Sequence, residues 1–328
     1  MATGLTFSAA DLARTRFAVS PMWEVVTSFR LLKDPAGRSL HRRWAAQVRP
    51  RMRCAGLRGG WLDELIPARG YLADFLNPTP QGPFPTLEAE LAAIRASRPE
   101  QVRADVDDLL RTRPVPGPSP RLRLLREEPE AALERVTAEI ETYWELALAP
   151  YWARIRQLLE ADVFHRARQV AEHGSAAVLN ELHESVHWDE GTLHLPRCEC
   201  GLTRERAGPG LLLVPTAFAW PRVLTRSVAP DPPQLAYPAR GVGTLWEPRA
   251  ASSTDAVAGV LGRSRALLLA ELDSPASTTQ LARNCGLSAA GVSQHLTALR
   301  NAGLVTAHRT GRSVLYARTA IADALLTA

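Results

Sequence analysis

Three residues, Ala282, Gly286 and Val292, constrain this chain more than any other feature of it. A small residue, a glycine four positions on and a branched apolar residue ten positions after the first let two short helices cross almost at right angles. Ala282 lies where the helices touch, and a larger side chain there would push them apart. Gly286 ends the first helix in the left-handed region that glycine enters without penalty. Val292 then wedges the second helix onto the first. Ser277-Thr278-Thr279-Gln280 has the form of a capping box, and Ser288 is an N-cap for the helix after it. Val292, Leu296 and Leu299 recur at helical spacing, so that helix buries one stripe and turns the opposite one outward.

The flanks extend the pattern. Residues 255–272 predict one preceding helix, with Val257, Val260, Leu261, Leu267, Leu268 and Leu272 on one face. Beyond Asn301-Ala302-Gly303, residues 304–309 and 313–317 are strand-like and are joined by Thr310-Gly311-Arg312, a hairpin with a basic tip. Residues 251–328 hold 7 Arg against 4 acidic residues, net +3, while the other 250 residues hold 32 basic against 30 acidic, net +2. Between Ser274 and Ala322 there is no Asp or Glu and there are five Arg. A long basic stretch free of acids is the footprint expected of a surface that meets a phosphate backbone. The expectation is a winged helix-turn-helix over 251–328 that binds double-stranded DNA.

Residues 281–316, with Ser293-Gln294-His295-Leu296, Leu299-Arg300-Asn301-Ala302-Gly303-Leu304-Val305 and Gly311-Arg312-Ser313-Val314-Leu315-Tyr316, resemble the ArsR-type winged helix-turn-helix transcriptional regulators. The chain as a whole resembles actinobacterial regulators that carry an N-terminal domain of unknown function. That likeness rests on residues 11–21, on Pro150-Tyr151-Trp152, on residues 211–220 and on Tyr237-Pro238-Ala239-Arg240-Gly241. The resemblance implies a homodimeric repressor on a palindromic operator, with its third helix in the major groove. By position it places Ala290, Gly291, Ser293 and Gln294 at base edges. It sets Ser288, His295, Thr297 and Arg300 nearer the phosphates, and Arg309, Thr310 and Arg312 at the flanking backbone or minor groove. Gln294 is the base reader of the set, because its amide can make two hydrogen bonds to adenine. Ser277 and Thr279 stand where metal-sensing members carry a Cys-x-Cys, so no metal and no cofactor is expected there.

The remaining sequence predicts a mainly α fold with small β elements: a helical sensor domain over 1–190 and a small β-rich unit over 191–250 packed on it. Ser20-Pro21 opens a helix with Trp23, Val26, Phe29 and Leu32 at helical spacing. Residues 129–183 read as long helix broken at Pro150. Residues 211–214, 222–225 and 234–237 are short β-prone runs between prolines and glycines. The 328 residues contain a single lysine, Lys33, so an individual arginine says little by itself. Cys54, Cys198, Cys200 and Cys285 are too few for a disulfide framework, and no apolar run reaches membrane-span length. With no secretory leader visible, the expectation is a cytoplasmic protein with no membrane association, and the N-terminal domain is expected to take a small-molecule effector.

One pattern points elsewhere. His183-Glu184-Ser185-Val186-His187 has the H-E-x-x-H form of zinc proteases, which needs both imidazoles on one helix face and the carboxylate as base. It defines the alternative, a zinc-dependent hydrolase using His183, Glu184 and His187. It sits where a helix is expected to end, and the spacing to Gly191 and His194 is one residue too long for the extended form. His187, His194, Cys198 and Cys200 are the candidates for a non-catalytic metal or redox site. Trp23, Trp144, Trp152, Trp220 and Trp246 are candidates to line an apolar effector pocket.

Overall fold

The computed structural model describes residues 3–34, 39–112, 118–195, 210–246, 254–273, 275–310 and 313–327. The chain opens with β1 (Thr3–Thr6), α1 (Ala9–Ala13), β2 (Arg16–Phe17), α2 (Pro21–Lys33), α3 (Arg42–Cys54) and α4 (Trp61–Leu65). It continues through α5 (Leu87–Arg95), α6 (Pro99–Arg111), α7 (Pro120–Glu127), α8 (Pro129–Ala147) and α9 (Trp152–Glu181). Five strands follow, β3 (His187–Asp189), β4 (Thr192–Leu195), β5 (Leu212–Thr216), β6 (Leu224–Arg226) and β7 (Gln234–Pro238). The last segment holds α10 (Thr254–Leu261), α11 (Arg263–Glu271), β8 (Ala276–Ser277), α12 (Thr278–Cys285), α13 (Ala289–Asn301), β9 (Val305–Thr310), β10 (Ser313–Arg318) and α14 (Ala320–Thr327). The fold is mainly α with small β elements, as expected.

α2 starts where Ser20 and Pro21 predict: the Ser20 hydroxyl accepts from the Trp23 N–H at 3.2 Å. Its burial goes beyond the expected stripe, because every residue from Pro21 to Leu32 is buried. α5, α8 and β5 all pack on it. α8 and α9 are separated by a 3-10 turn over Ala149–Tyr151, where Pro150 cannot continue a helical hydrogen-bond ladder. Gly174, at φ 79° and ψ 167°, kinks α9.

The strands differ from the sequence expectation in their partners. β4 pairs antiparallel with both β3 and β1, so the first strand of residues 191–250 is completed by the first residues of the chain. In the other sheet, ordered β2-β5-β7-β6, β2 runs parallel to β5 and β5 to β7. A parallel core strand is covered on both faces and reads as a continuous apolar run. Leu213, Leu235 and Tyr237 turn to α9, where Val178 and Leu179 wait. Leu212, Val214 and Ala236 turn the other way, onto Trp23 of α2.

Glu24 and His41 are sealed into the helical layer. Glu24 is fully buried; its Oε1 accepts from the Ala217 N–H at 3.0 Å and its Oε2 has no partner. Desolvation pushes its carboxyl up to about 8, against the downward pull of that Ala217 hydrogen bond. His41 is boxed by Trp44, Phe218 and Trp246; its Nδ1 accepts from the Trp246 indole at 2.9 Å, and burial lowers its pKa to about 4. The five tryptophans that are candidates to line one pocket do not converge. Trp23 donates to Gln234 at 2.8 Å, Trp144 and Trp152 meet edge to face, Trp246 belongs to the His41 box and Trp220 is half exposed. Four of the rings are spent on core packing, as large aromatic side chains ordinarily are, and Trp220 lies at the surface.

The C-terminal segment has its own core around Leu268, Leu281, Val292, Leu296, Leu299 and Val305. The single helix expected over 255–272 is two, because Gly262 at φ 84° and ψ 149° leaves the helical region between α10 and α11. This domain is seated on the corner between α8 and α9. The Arg154 guanidinium donates to the Asp273 carbonyl at 3.1 Å and to its carboxylate at 3.3 Å. Arg318, itself buried, pairs with Asp273 and with Asp323, each at 2.9 Å. β9 packs on α8, bringing His308 to 3.7 Å from Glu145.

Candidate nucleic-acid interface

The interface is built from the caps outward. The Ser277 hydroxyl accepts from the Gln280 N–H at 3.3 Å and the Gln280 side chain accepts from the Ser277 N–H at 2.9 Å. That reciprocal pair satisfies two of the donors a helix start leaves open. α12 stops at Gly286, left-handed at φ 65°, whose N–H bonds to the Ala282 carbonyl. α13 begins at once: the Ser288 hydroxyl accepts from the Gly291 N–H at 3.1 Å. A Cβ at position 291 would lie 3.1 Å from that hydroxyl, so Gly291 leaves room for the cap.

Val292, Leu296 and Leu299 are buried against α11 and α12, which fixes the rotation of α13. Its opposite stripe, Ala290, Ser293, Gln294 and Thr297, is exposed, with Arg300 continuing it toward the helix end. Ser288 at the cap is exposed as well, while Gly291 and His295 are half-buried at the edges of the stripe. Thr297 turns its hydroxyl back to the Ser293 carbonyl at 2.9 Å. Seven of the expected DNA contacts thus line one outward face or its borders, and Ser288 stands at its start. Arg309 is exposed on β9. Arg312 and the Thr310 side chain lie outside the described residues.

β9 and β10 form the expected antiparallel hairpin, Val305 opposite Arg318 and Thr310 opposite Ser313. β8 adds a third strand through Ser277 and Ala276, which pair with Leu315 and Tyr316 and tie the start of α12 to the hairpin. His308 and Asp273 of this domain face α8 and α9. Burial pushes the His308 pKa down from the usual histidine value, with Glu145 pulling it back up. Asp273 is held between Arg154 and Arg318. Sequence reading missed this seat, because nothing local marks which strand residue meets a partner more than a hundred positions away.

The H-E-x-x-H reading is corrected by the backbone. α9 ends at Glu181, so His183 and Glu184 lie in the turn beyond it and His187 on β3. His183 spends its ring nitrogens on the Ser185 hydroxyl at 2.7 Å and near the Pro221 carbonyl at 3.2 Å. Without a helix, the two imidazoles share no face and the hydrolase geometry is not formed. His187 and His194 are cross-strand neighbours with rings 6.2 Å apart; Cys198 and Cys200 lie outside the described residues. Among the described residues no group of three or more His, Cys, Asp or Glu is placed to hold a metal.

Two capped helices crossed over a left-handed glycine, with a three-stranded hairpin behind them and one polar helix face turned out, define a winged helix-turn-helix. The comparison with known families agrees in detail. Residues 263–307 match the model of bacterial regulatory proteins of the arsR family, and residues 119–243 match a family of unknown function, DUF5937. The chain carries an ArsR-family domain behind a DUF5937 domain, and is a DNA-binding transcription regulator in class. No curated protein and no solved structure matches it. No helix among the described residues is long and apolar enough to cross a membrane.

Proposed function

We propose that the protein is a ligand-responsive repressor that binds a palindromic operator as a homodimer, reading the major groove with α13. The observation that carries this is the stripe Ala290, Ser293, Gln294 and Thr297, held outward by the buried stripe opposite it. Gln294 reads a base edge, and Ser293, Ala290 and Gly291 lie within reach of the same groove. Ser288, His295, Thr297 and Arg300 contact the phosphates, and Arg309, Thr310 and Arg312 the flanking backbone. Small Ala290 and Gly291 offer few hydrogen bonds, so affinity rests on backbone contacts and DNA shape. The dimer is supported by α10 and α14, which pack together and leave Val260 85%, Ile321 62% and Leu325 42% exposed. Apolar side chains that open to water, on the two helices flanking the core, are what a two-fold contact would bury.

The test selects bound duplexes from a random pool and weighs the complex by light scattering. The expected outcome is an inverted repeat, its half-sites about 10 base pairs or a multiple of that apart, with two chains bound. A single unrepeated site carrying one chain defeats the dimeric reading.

A further inference from the structure

A pocket of about 690 Å³ opens between α2 and α3, within the size range of small-molecule sites. Helical spacing builds its walls. Phe29, Leu32 and Lys33 come from one face of α2, and Ala46, Arg49, Pro50 and Arg53 from one face of α3. Phe29, Leu32, Met52 and Leu57 are buried and make its floor apolar. Its charge is one-sided: four cations line it and a single acid, Asp63. Lys33 and Asp63 neutralise one another at 2.8 Å, and Lys33 also donates to the Ile66 carbonyl at 2.7 Å. Arg49 reaches across to the Leu32 carbonyl at 3.0 Å. Arg53 and Arg58, at the mouth, are exposed and make no hydrogen bond or ion pair among the described residues, although Arg58 is near enough to Asp63 to help hold its carboxyl down.

We propose that this pocket binds an organic anion made of an apolar body and a terminal carboxylate or phosphate. The body lies on Phe29, Leu32, Met52 and Leu57, and the head group sits between Arg53 and Arg58. A guanidinium fork matches carboxylate and phosphate oxygens two at a time, and two unpaired forks at an apolar mouth leave that geometry open. A cation would be repelled, and a neutral ligand would leave the arginines unused. Resting on the reading of the protein as ligand-responsive, occupancy also reaches the DNA-binding domain. Away from the pocket, α3 also carries Trp44, whose indole donates to the Ala147 carbonyl at the end of α8 at 2.8 Å. Two residues before it, Glu145 faces His308 of β9.

The experiment is calorimetric titration of the full chain with decanoate and decyl phosphate. Inorganic phosphate, decanol and decyltrimethylammonium serve as comparison ligands. One-to-one binding of the two decyl anions is expected, at least tenfold tighter than that of the other three. The Arg53→Gln/Arg58→Gln double variant, altered only at exposed positions, should bind the anions at least tenfold more weakly. Ala46→Trp, which fills the pocket from an exposed position on α3, should abolish binding with the thermal midpoint preserved. Equal affinity for decanol or for decyltrimethylammonium overturns the proposal, as does anion binding that survives the double variant. Operator affinity measured with and without decanoate separates the two readings. Arginine-dependent binding with unchanged operator affinity keeps the site and defeats its regulatory role; no binding defeats the site and leaves the repressor reading standing.

Discussion

Gln294 stands on α13 between Ser293 and His295, on the face opposite Val292 and Leu296, and its side chain is free to reach a base edge. Gln294→Ala should cost about 1–3 kcal/mol on the selected operator and little on scrambled DNA, since only base-edge contacts discriminate. Competition titration against both duplexes checks it, and equal losses on the two would make Gln294 a backbone contact. Glu24 gives a second prediction at the same scale. Its folded pKa of about 8 lies above the ordinary 4.5, so the folded state holds a proton that the unfolded chain has released. Stability therefore falls as pH rises from 4.5 to about 8, by up to about 1.4 kcal/mol per unit. His41, with its pKa lowered from 6.5 to about 4, acts in the opposite sense and only below 6.5. Glu90, raised to about 7, adds to the fall up to that point. Between pH 6.5 and 8 the wild type should lose about 2 kcal/mol in urea unfolding, and Glu24→Gln should flatten most of that slope. An unchanged slope in the variant would place the titration elsewhere.

At the scale of the element, α12 is the most locally determined piece of the molecule. Ser277→Ala removes the hydroxyl that accepts from Gln280, and should lower the stability of the winged helix by about 1 kcal/mol. Thermal unfolding monitored by helix signal reads the change, and Ser277→Asp, a comparable cap, should restore most of it. This is also where the sequence was most legible. Caps, the left-handed Gly286 and the Val292, Leu296, Leu299 stripe act over a few residues, so their signals survive in the local string. Gly262 shows the limit of that locality. A glycine inside an apolar repeat is tolerated in a helix, and only its φ of 84° makes it a break. The sheets were less readable still. Thr3 finds Leu195, and Arg16 finds Leu212, across nearly the whole N-terminal domain, and no local pattern encodes which distant run completes a strand pair. Glu24 was hidden for a related reason. A carboxylate among apolar helical residues normally marks the wet face, and here every face is covered.

For the molecule as a whole, the corner between α8 and α9 is the joint between the winged helix and the rest of the chain. Arg154→Ala removes one side of the Asp273 clasp and leaves Arg318 on the other, a loss of roughly 2 kcal/mol of contact between the domains. Calorimetric unfolding should then resolve two transitions, the winged helix melting apart from the N-terminal domain. A single transition at the wild-type temperature would show that the clasp does not couple them. β9 sits at this joint in an unusual position. Side chains alternate along a strand, so Thr306 and His308 look toward α8 while Val305, Ala307 and Arg309 look the other way. Arg309, the exposed cation of that second set, is thereby kept clear of the N-terminal domain. Parity, more than composition, keeps these roles apart. Inserting or deleting one residue between positions 305 and 308 would exchange the two rows, turning the arginine toward α8 and the histidine away from it. Changes of length in this short segment should therefore be tolerated only in pairs.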